Sequence, residues 1–212
     1  MGKEYMRWII LVALILAGIA CAIHDDVEIQ GTPNSKQSEP VQNGTAKGIK
    51  ILLIGSSYFN YNQLDQILTE FCSGGDRDVM IVKEGDNGLY LADHARRLET
   101  ANRIRSENWD FVILQGVGTL TAYPDIITHH PVLPALAALK KQILDHCSST
   151  RIIFCMPWAF EDGMAWQAGW TDQFPEMQQK IYENTLAYTE QLGLMVAPVG
   201  WAWNQVLMEK GF

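Results

Sequence analysis

Ser56 and Ser57 follow a short apolar run and a glycine, in the order Gly55-Ser56-Ser57-Tyr58-Phe59-Asn60-Tyr61-Asn62. A serine at a turn from strand into helix can present its hydroxyl at the sheet edge. The free N–H groups at the start of the next helix are then available to a developing negative charge. That is the local equipment of a nucleophile. Serine also caps helices well, because its hydroxyl satisfies an unpaired N–H of the first turn, and the local pattern leaves both roles open. A second candidate stretch, Glu84-Gly85-Asp86-Asn87-Gly88-Leu89-Tyr90-Leu91, leads to His94. Its glycines allow positive φ or a close backbone approach, or simply make a turn. A third, Gln115-Gly116-Val117-Gly118-Thr119, offers a side-chain amide that can aim an N–H into a cleft or brace a loop.

A serine needs a base within hydrogen-bond reach to act near neutral pH. His129 and His130, with Asp125 four residues before the first of them, lie in a segment that could approach such a site. His94 falls within a helical stretch and His146 near the end of one, positions where a packed or solvated ring is commoner.

These residues have to be held by something. The apolar runs Ile49–Ile54, Val79–Val82, Phe111–Leu114, Arg151–Met156 and Leu194–Val199 are short and rich in β-branched residues, as suits strands buried on both faces of a parallel sheet. Helix-length segments lie between them: Leu64–Cys72, Leu91–Glu107, Leu133–His146 and Phe174–Leu192. In the third, Leu133, Leu136, Ala137, Leu139, Lys140 and Ile143 form one stripe. In the fourth, Met177, Ile181, Leu186 and Tyr188 do the same, with Gly193 as the stop. Another helix starts at Trp201 and runs to Lys210. This alternation predicts a three-layer α/β/α sandwich around a mostly parallel, five-stranded sheet of flavodoxin-like type, with right-handed crossovers. In such sheets functional groups gather at the carboxyl ends of the strands, where all three candidate stretches fall.

Taken in order, the Gly-x-Ser block at Ser57, Asn87-Gly88 followed by Leu91 and His94, and Val112-Ile113-Leu114-Gln115 resemble the first three blocks of the SGNH (GDSL-like) hydrolase superfamily. The first block, GSSYFNYN, is similar to the Gly-Asn-Ser-(Phe/Tyr)-x-x-Tyr-Asn block of a bacterial subgroup. Met156-Pro157-Trp158-Ala159, the Met177-Gln178 helix and Ala197-Pro198-Val199-Gly200-Trp201-Ala202-Trp203 also look like that subgroup. The resemblance spans residues 49–212. It implies an esterase with Ser57 as nucleophile and the N–H groups of Ser57 and Gly88 as oxyanion donors. The family's third donor is an Asn; here Gln115, or else Thr119, stands in that region. The family's general base lies in an Asp-x-x-His segment beyond the last strand, and the sequence stops at Phe212 before any such segment. The resemblance therefore implies a domain that is incomplete at its C-terminal end and inactive as it stands. No cofactor or metal is implied.

The start of the chain reads differently. Lys3 and Arg7 precede an apolar run from Trp8 to Ile19, which exits through small residues into Cys21. This is the form of a secretory signal, and the run is short for a membrane span. Gly18-Ile19-Ala20-Cys21 resembles a bacterial lipobox, so residues 1–21 are expected to be a lipoprotein signal and Cys21 the lipidated residue, with an ordinary cleaved signal or an uncleaved anchor helix as the alternatives. Residues 22–48 read as a flexible tether, being poor in large apolar groups. Export across the inner membrane and anchoring at the periplasm or cell surface follow as expectations. Cys72, Cys147 and Cys155 remain, an odd count without zinc-site spacing, and read as buried free thiols.

A formal net charge of -8 and the lack of any basic run argue against nucleic-acid binding. Trp158, Trp166, Trp170, Trp201 and Trp203 cluster late in the chain, two of them just after strands. Aromatic faces at a cleft stack on sugar rings, which favours an acetylated carbohydrate among small acyl esters; lid or core packing is the structural alternative. Two other functions fit the sequence less well. One is a non-catalytic cell-surface carbohydrate-binding protein keeping the same cleft. The other is a flavodoxin-like domain binding phosphate at Gly55–Ser57, which has no Gly-x-Gly-x-x-Gly or Gly-Lys-Ser/Thr signature behind it.

Overall fold

A computed structural model describes residues 48–60, 63–72, 78–123, 131–164 and 173–209. The signal segment, Cys21, the tether, Asp125, His129, His130, Trp166 and Trp170 lie outside the described residues. In chain order the elements are β1 (Ile49–Ile54), α1 (Ser57–Asn60), α2 (Leu64–Cys72), β2 (Val79–Glu84), α3 (Leu91–His94), α4 (Leu98–Arg105) and β3 (Phe111–Gln115). There follow α5 (Gly118–Ala122), α6 (Val132–His146), β4 (Arg151–Cys155), α7 (Phe174–Leu192), β5 (Met195–Ala197) and α8 (Val199–Glu209).

The five strands pair in the order β2-β1-β3-β4-β5, all parallel. Side chains alternate across a strand, so β1 and β3 each feed two cores. Ile51, Leu53, Phe111 and Ile113 face one layer, packed with Leu64 and Leu68 of α2 and with Val199 of α8. Leu52, Ile54, Val112 and Leu114 face the other, against Leu91 of α3, Ile104 of α4, and Leu136, Leu139 and Ile143 of α6. The chain steps one way from β1 to β2 and the opposite way thereafter, and right-handed crossovers then put the first connection on the face opposite the next three. Fully burying each such Leu, Ile, Val or Phe contributes roughly 1.5–3 kcal/mol, which makes the central strands the firmest part of the molecule.

A smaller third cluster, with Tyr123, Met156, Met164, Met177 and Ile181, fills the carboxyl end of β4 beneath α5 and α7. On α7 the buried stripe runs Met177, Ile181, Thr185, Tyr188. Leu186 falls one residue off it, about 100° around the helix, and is 41% exposed, contrary to the expectation from hydropathy. On α6, Leu136, Leu139 and Ile143 are buried as expected, joined by Val132 and Ala135. Cys155 is buried, its thiol pushed up to about 12 by desolvation, whereas Cys72 and Cys147 are only partly buried.

The largest departure lies between β2 and β3. The single helix expected over Leu91–Glu107 is two helices, α3 and α4, parted at Ala95–Arg97, with Arg97 extended at φ -78° and ψ 128°. The reason is a side-chain bond. His94 Nδ1 lies 2.8 Å from Thr100 Oγ1. Residues six apart on a continuous helix stand about 9 Å apart along the axis and on different faces, so the two can meet only if the helix breaks.

Among the described residues no helix is long and apolar enough to cross a membrane.

Candidate active site

In a 2-1-3-4-5 parallel sheet the connections leave β1 and β3 on opposite faces, which opens a crevice at their carboxyl ends. β1 ends there at Gly55, beside Gln115 at the end of β3. The register pairs Ile54 with Leu114, and Gly55 N–H donates to Glu84 O at 3.2 Å to continue the pairing with β2. The three stretches singled out by sequence thus meet at one edge.

The two serines are treated differently. Ser56 is buried, and both its N–H (3.2 Å) and its hydroxyl (3.3 Å) donate to Gln115 Oε1. Ser57 is half-buried and opens α1, whose first N–H groups have no helical partners. Gln115 is itself buried, and its amide nitrogen donates to Gly116 O. Its orientation is dictated by its neighbours, since only the oxygen can accept from Ser56 N–H. One amide N–H of Gln115 is thereby committed to the loop backbone and one is left over.

The loop after β2 crosses over the loop after β1. Gly85 has φ +142°, and a Cβ there would overlap the carbonyl oxygen of Gly55, so only glycine permits this approach. Gly88 has φ +84° at an exposed turn closed by Leu89 N–H donating to Asp86 O at 3.3 Å. Asn60 of α1 reaches across, its Nδ2 donating to Gly85 O at 3.3 Å and to Asn87 Oδ1 at 3.1 Å.

His94 lies under this crossing and is fully buried. Nε2 donates to Gly55 O at 3.0 Å, a partner that can only accept. Thr100 Oγ1, 2.8 Å from Nδ1, also lies 3.2 Å from Glu84 Oε1. Burial pushes the imidazole below its ordinary 6.5, against weaker raising effects of the Gly55 hydrogen bond and the Glu84 carboxylate. A neutral ring with Nε2–H presents Nδ1 as an acceptor, and the single Thr100 hydroxyl proton lies between that nitrogen and Glu84 Oε1. Both ring nitrogens are occupied. His146, the other described histidine, sets Nε2 against Glu107 O, ahead of β3 and so at the opposite edge of the sheet.

On the β4 side the wall is aromatic. Tyr58, next to Ser57, meets Trp158 edge-on with centroids 4.5 Å apart and planes at 62°. Burial pushes the Tyr58 hydroxyl up to about 12, so it stays protonated. Trp201 instead stacks on Tyr182 in the third core cluster, at 4.5 Å and 29°. Among the described residues no group of three or more His, Cys, Asp or Glu could hold a metal ion.

Sequence reasoning located the three loops but missed Asn60 and the true partner of His94.

An all-parallel sheet of this order, helices on both sides and loops meeting in this way constitute an SGNH-hydrolase type of fold. Three solved structures show the likeness. A candidate SGNH hydrolase from Slackia heliotrinireducens superposes with a TM-score of 0.60 at 17% identity, over 75% of this chain and 83% of that one. A DUF4886 family protein from Bacteroides uniformis gives 0.54 at 16% identity, over 71% and 66%. A variant of an acetyl-xylooligosaccharide esterase from Geobacillus Stearmophilus gives 0.51 at 16% identity, over 77% and 82%. No protein-family model and no curated protein matches the sequence.

The burial of His94 sets a pH dependence. Its folded value lies below its unfolded one, so below about 6.5 the unfolded chain binds the proton first, and stability falls with falling pH at up to about 1.4 kcal/mol per pH unit. Above the unfolded value the contribution is complete. Urea denaturation between about pH 7.5 and pH 5 is expected to show this loss in the wild type and a shallower one in His94→Gln. Equal pH slopes would rule out His94 as the source.

Proposed function

We propose that this protein is a serine ester hydrolase of the SGNH type acting on small acyl esters, with an acetylated carbohydrate as the favoured substrate. The observation carrying the reading is the contrast at the end of β1: Ser56 is held by Gln115, while Ser57 stands half-exposed at the start of α1, the helix whose Asn60 bonds to Asn87 next to Gly88. In this reading Ser57 Oγ attacks the ester carbonyl carbon and its proton passes to a general base. The carbonyl oxygen takes up negative charge facing the N–H groups of Ser57 and Gly88, with the remaining amide N–H of Gln115 as third donor. Collapse expels the alcohol, which receives the proton from the base. Water then attacks the acyl-serine and gives its proton to the same base; collapse breaks the acyl–Oγ bond, releases the acid, and returns the proton from the base to Ser57 Oγ.

His94 has both ring nitrogens engaged and His146 lies at the opposite edge of the sheet, so the base is sought at His129 or His130. With a short-chain aryl acetate as substrate, Ser57→Ala is expected to lower kcat/KM by roughly 10³-fold or more. Loss of turnover in His129→Ala or His130→Ala would assign the base. Turnover that survives Ser57→Ala would refute the reading. The same occupancy of His94 favours a second reading, a non-catalytic carbohydrate-binding surface protein with this fold. Binding of acetylated oligosaccharide by a chain that never hydrolyses it would select that one.

Support for a carbohydrate ester comes from Trp158, half-buried against Tyr58 and hence close to Ser57, and from the acetyl-xylooligosaccharide esterase with the same fold. A sugar ring stacked on an aromatic face loses that contact in Trp158→Ala. The expected result is a KM for acetylated oligosaccharide raised about tenfold with little change for the small aryl acetate. An equal effect on both substrates would count against a sugar subsite.

The reading includes export and attachment to a membrane through a lipid on Cys21, supported by the lipobox-like Gly18-Ile19-Ala20-Cys21. Cells expressing the full chain are expected to incorporate labelled palmitate into it, and Cys21→Ala to abolish the label. Equal labelling of both would remove the anchor from the proposal.

A further inference from the structure

An oxyanion hole made from the N–H groups of Ser57 and Gly88 draws its donors from two different loops, one after β1 and one after β2. The distance between such donors has to be held within a fraction of an ångström for both to meet one oxygen. The sheet does not secure it, because the last backbone bond between the strands is Gly55 N–H to Glu84 O, and the Gly88 turn lies beyond it, exposed to solvent. Side chains make the remaining links. Asn60 Nδ2 donates to Gly85 O and Asn87 Oδ1, tying α1 to the turn from above. His94 Nε2–H donates to Gly55 O, tying α3 to the β1 loop from below. The glycine at 85 lets the two backbones touch between these ties.

We propose that Asn60 and His94 are positioning residues, a two-sided clamp that holds the Gly88 N–H against Ser57. This rests on the assignment of Ser57 and Gly88 made above. His94 does so through its ring tautomer. Its Nε2 faces a carbonyl oxygen and must keep its proton, while Thr100 Oγ1 sits between Nδ1 and Glu84 Oε1. The Glu84–Thr100–His94 series therefore has the composition of a relay toward a nucleophile but ends on a backbone acceptor, where it orients a loop and transfers no proton. Asn60 works on the solvent side through its two donors. The turn has ties of its own, Leu89 N–H to Asp86 O and Arg97 Nη1 to Asp86 Oδ2 at 3.0 Å, which shape it without joining it to α1.

Asn60→Asp tests the clamp directly. The side chain keeps its shape and half-buried place but loses both donors, and its carboxylate faces the oxygens of Gly85 and Asn87. Native-state hydrogen exchange on the full chain is expected to quicken about tenfold at the amides of Asn87, Gly88 and Leu89. The amides of β1 and β3 and the Tm should stay as in the wild type. On an aryl acetate, kcat is expected to fall by roughly 10- to 100-fold with KM changed less than about twofold, because a displaced donor is missed mainly in the transition state. Thr100→Val, which removes the hydroxyl between His94 Nδ1 and Glu84 Oε1, should shift kcat in the same direction by a smaller factor.

Three results would overturn the clamp: unchanged exchange at the turn, exchange quickened evenly through the strands with a lower Tm, or a loosened turn with kcat intact. Failure of the hydrolase reading is distinct, since it appears as a lack of Ser57-dependent turnover in the unmutated chain. The exchange measurement then decides the clamp by itself.

Discussion

A strand that ends inside a protein leaves its last carbonyl without the partner that the next rung would have supplied, and a buried carbonyl left unpaired costs on the order of 1–3 kcal/mol. At the end of β1 that carbonyl belongs to Gly55, where the two neighbouring strands part company. Its partner is the Nε2–H of His94, a residue 39 positions further along the chain. Much of the local architecture follows from that one bond. For the other nitrogen of His94 to be satisfied, the chain must turn back so that Thr100 comes to it. For β2 to lead out past the same carbonyl, residue 85 must lack a Cβ.

The chemical character of the open edge descends from this arrangement. With Gly55 anchored from below and Gln115 gripping Ser56 from the side, the chain has little freedom before α1, and Ser57 is the first residue whose side chain is not taken up in bracing. Gln115 occupies the end of β3, buried beside Ser56. It accepts from Ser56 rather than serving only as a donor. The buried imidazole beneath is kept neutral by desolvation, so the crossing adds no positive charge to the site. The aromatic pair Tyr58 and Trp158, in edge-on contact, then links α1 to the segment after β4.

How much of this could be read beforehand depends on the range of the interaction involved. The strands Ile49–Ile54 and Phe111–Gln115 were legible because continuous β-branched runs have few alternatives to a doubly covered parallel strand, and their order with the helices restricts the topology to a few right-handed solutions. Gly193 after α7 was legible as well, since helix stops are local chemistry. Leu186 was misread because the stripe on α7 is completed by Thr185, whose burial no hydropathy pattern announces. The split between α3 and α4 was misread because helical propensity continues through Ala95–Arg97, and a buried bond between His94 and Thr100 overrides it.

The sequence by itself determined the layers, a mostly parallel sheet, and the three loops that share one edge, because these rest on short-range patterns of apolar residues, glycines and serines. Only the tertiary structure decided which serine is left free, where the amide of Gln115 points and what His94 does. Each of those depends on a partner 39 to 59 residues away, competing for a fixed number of donors and acceptors. Which partner takes which proton is a property of packed neighbours, and the order of residues along a chain does not carry it.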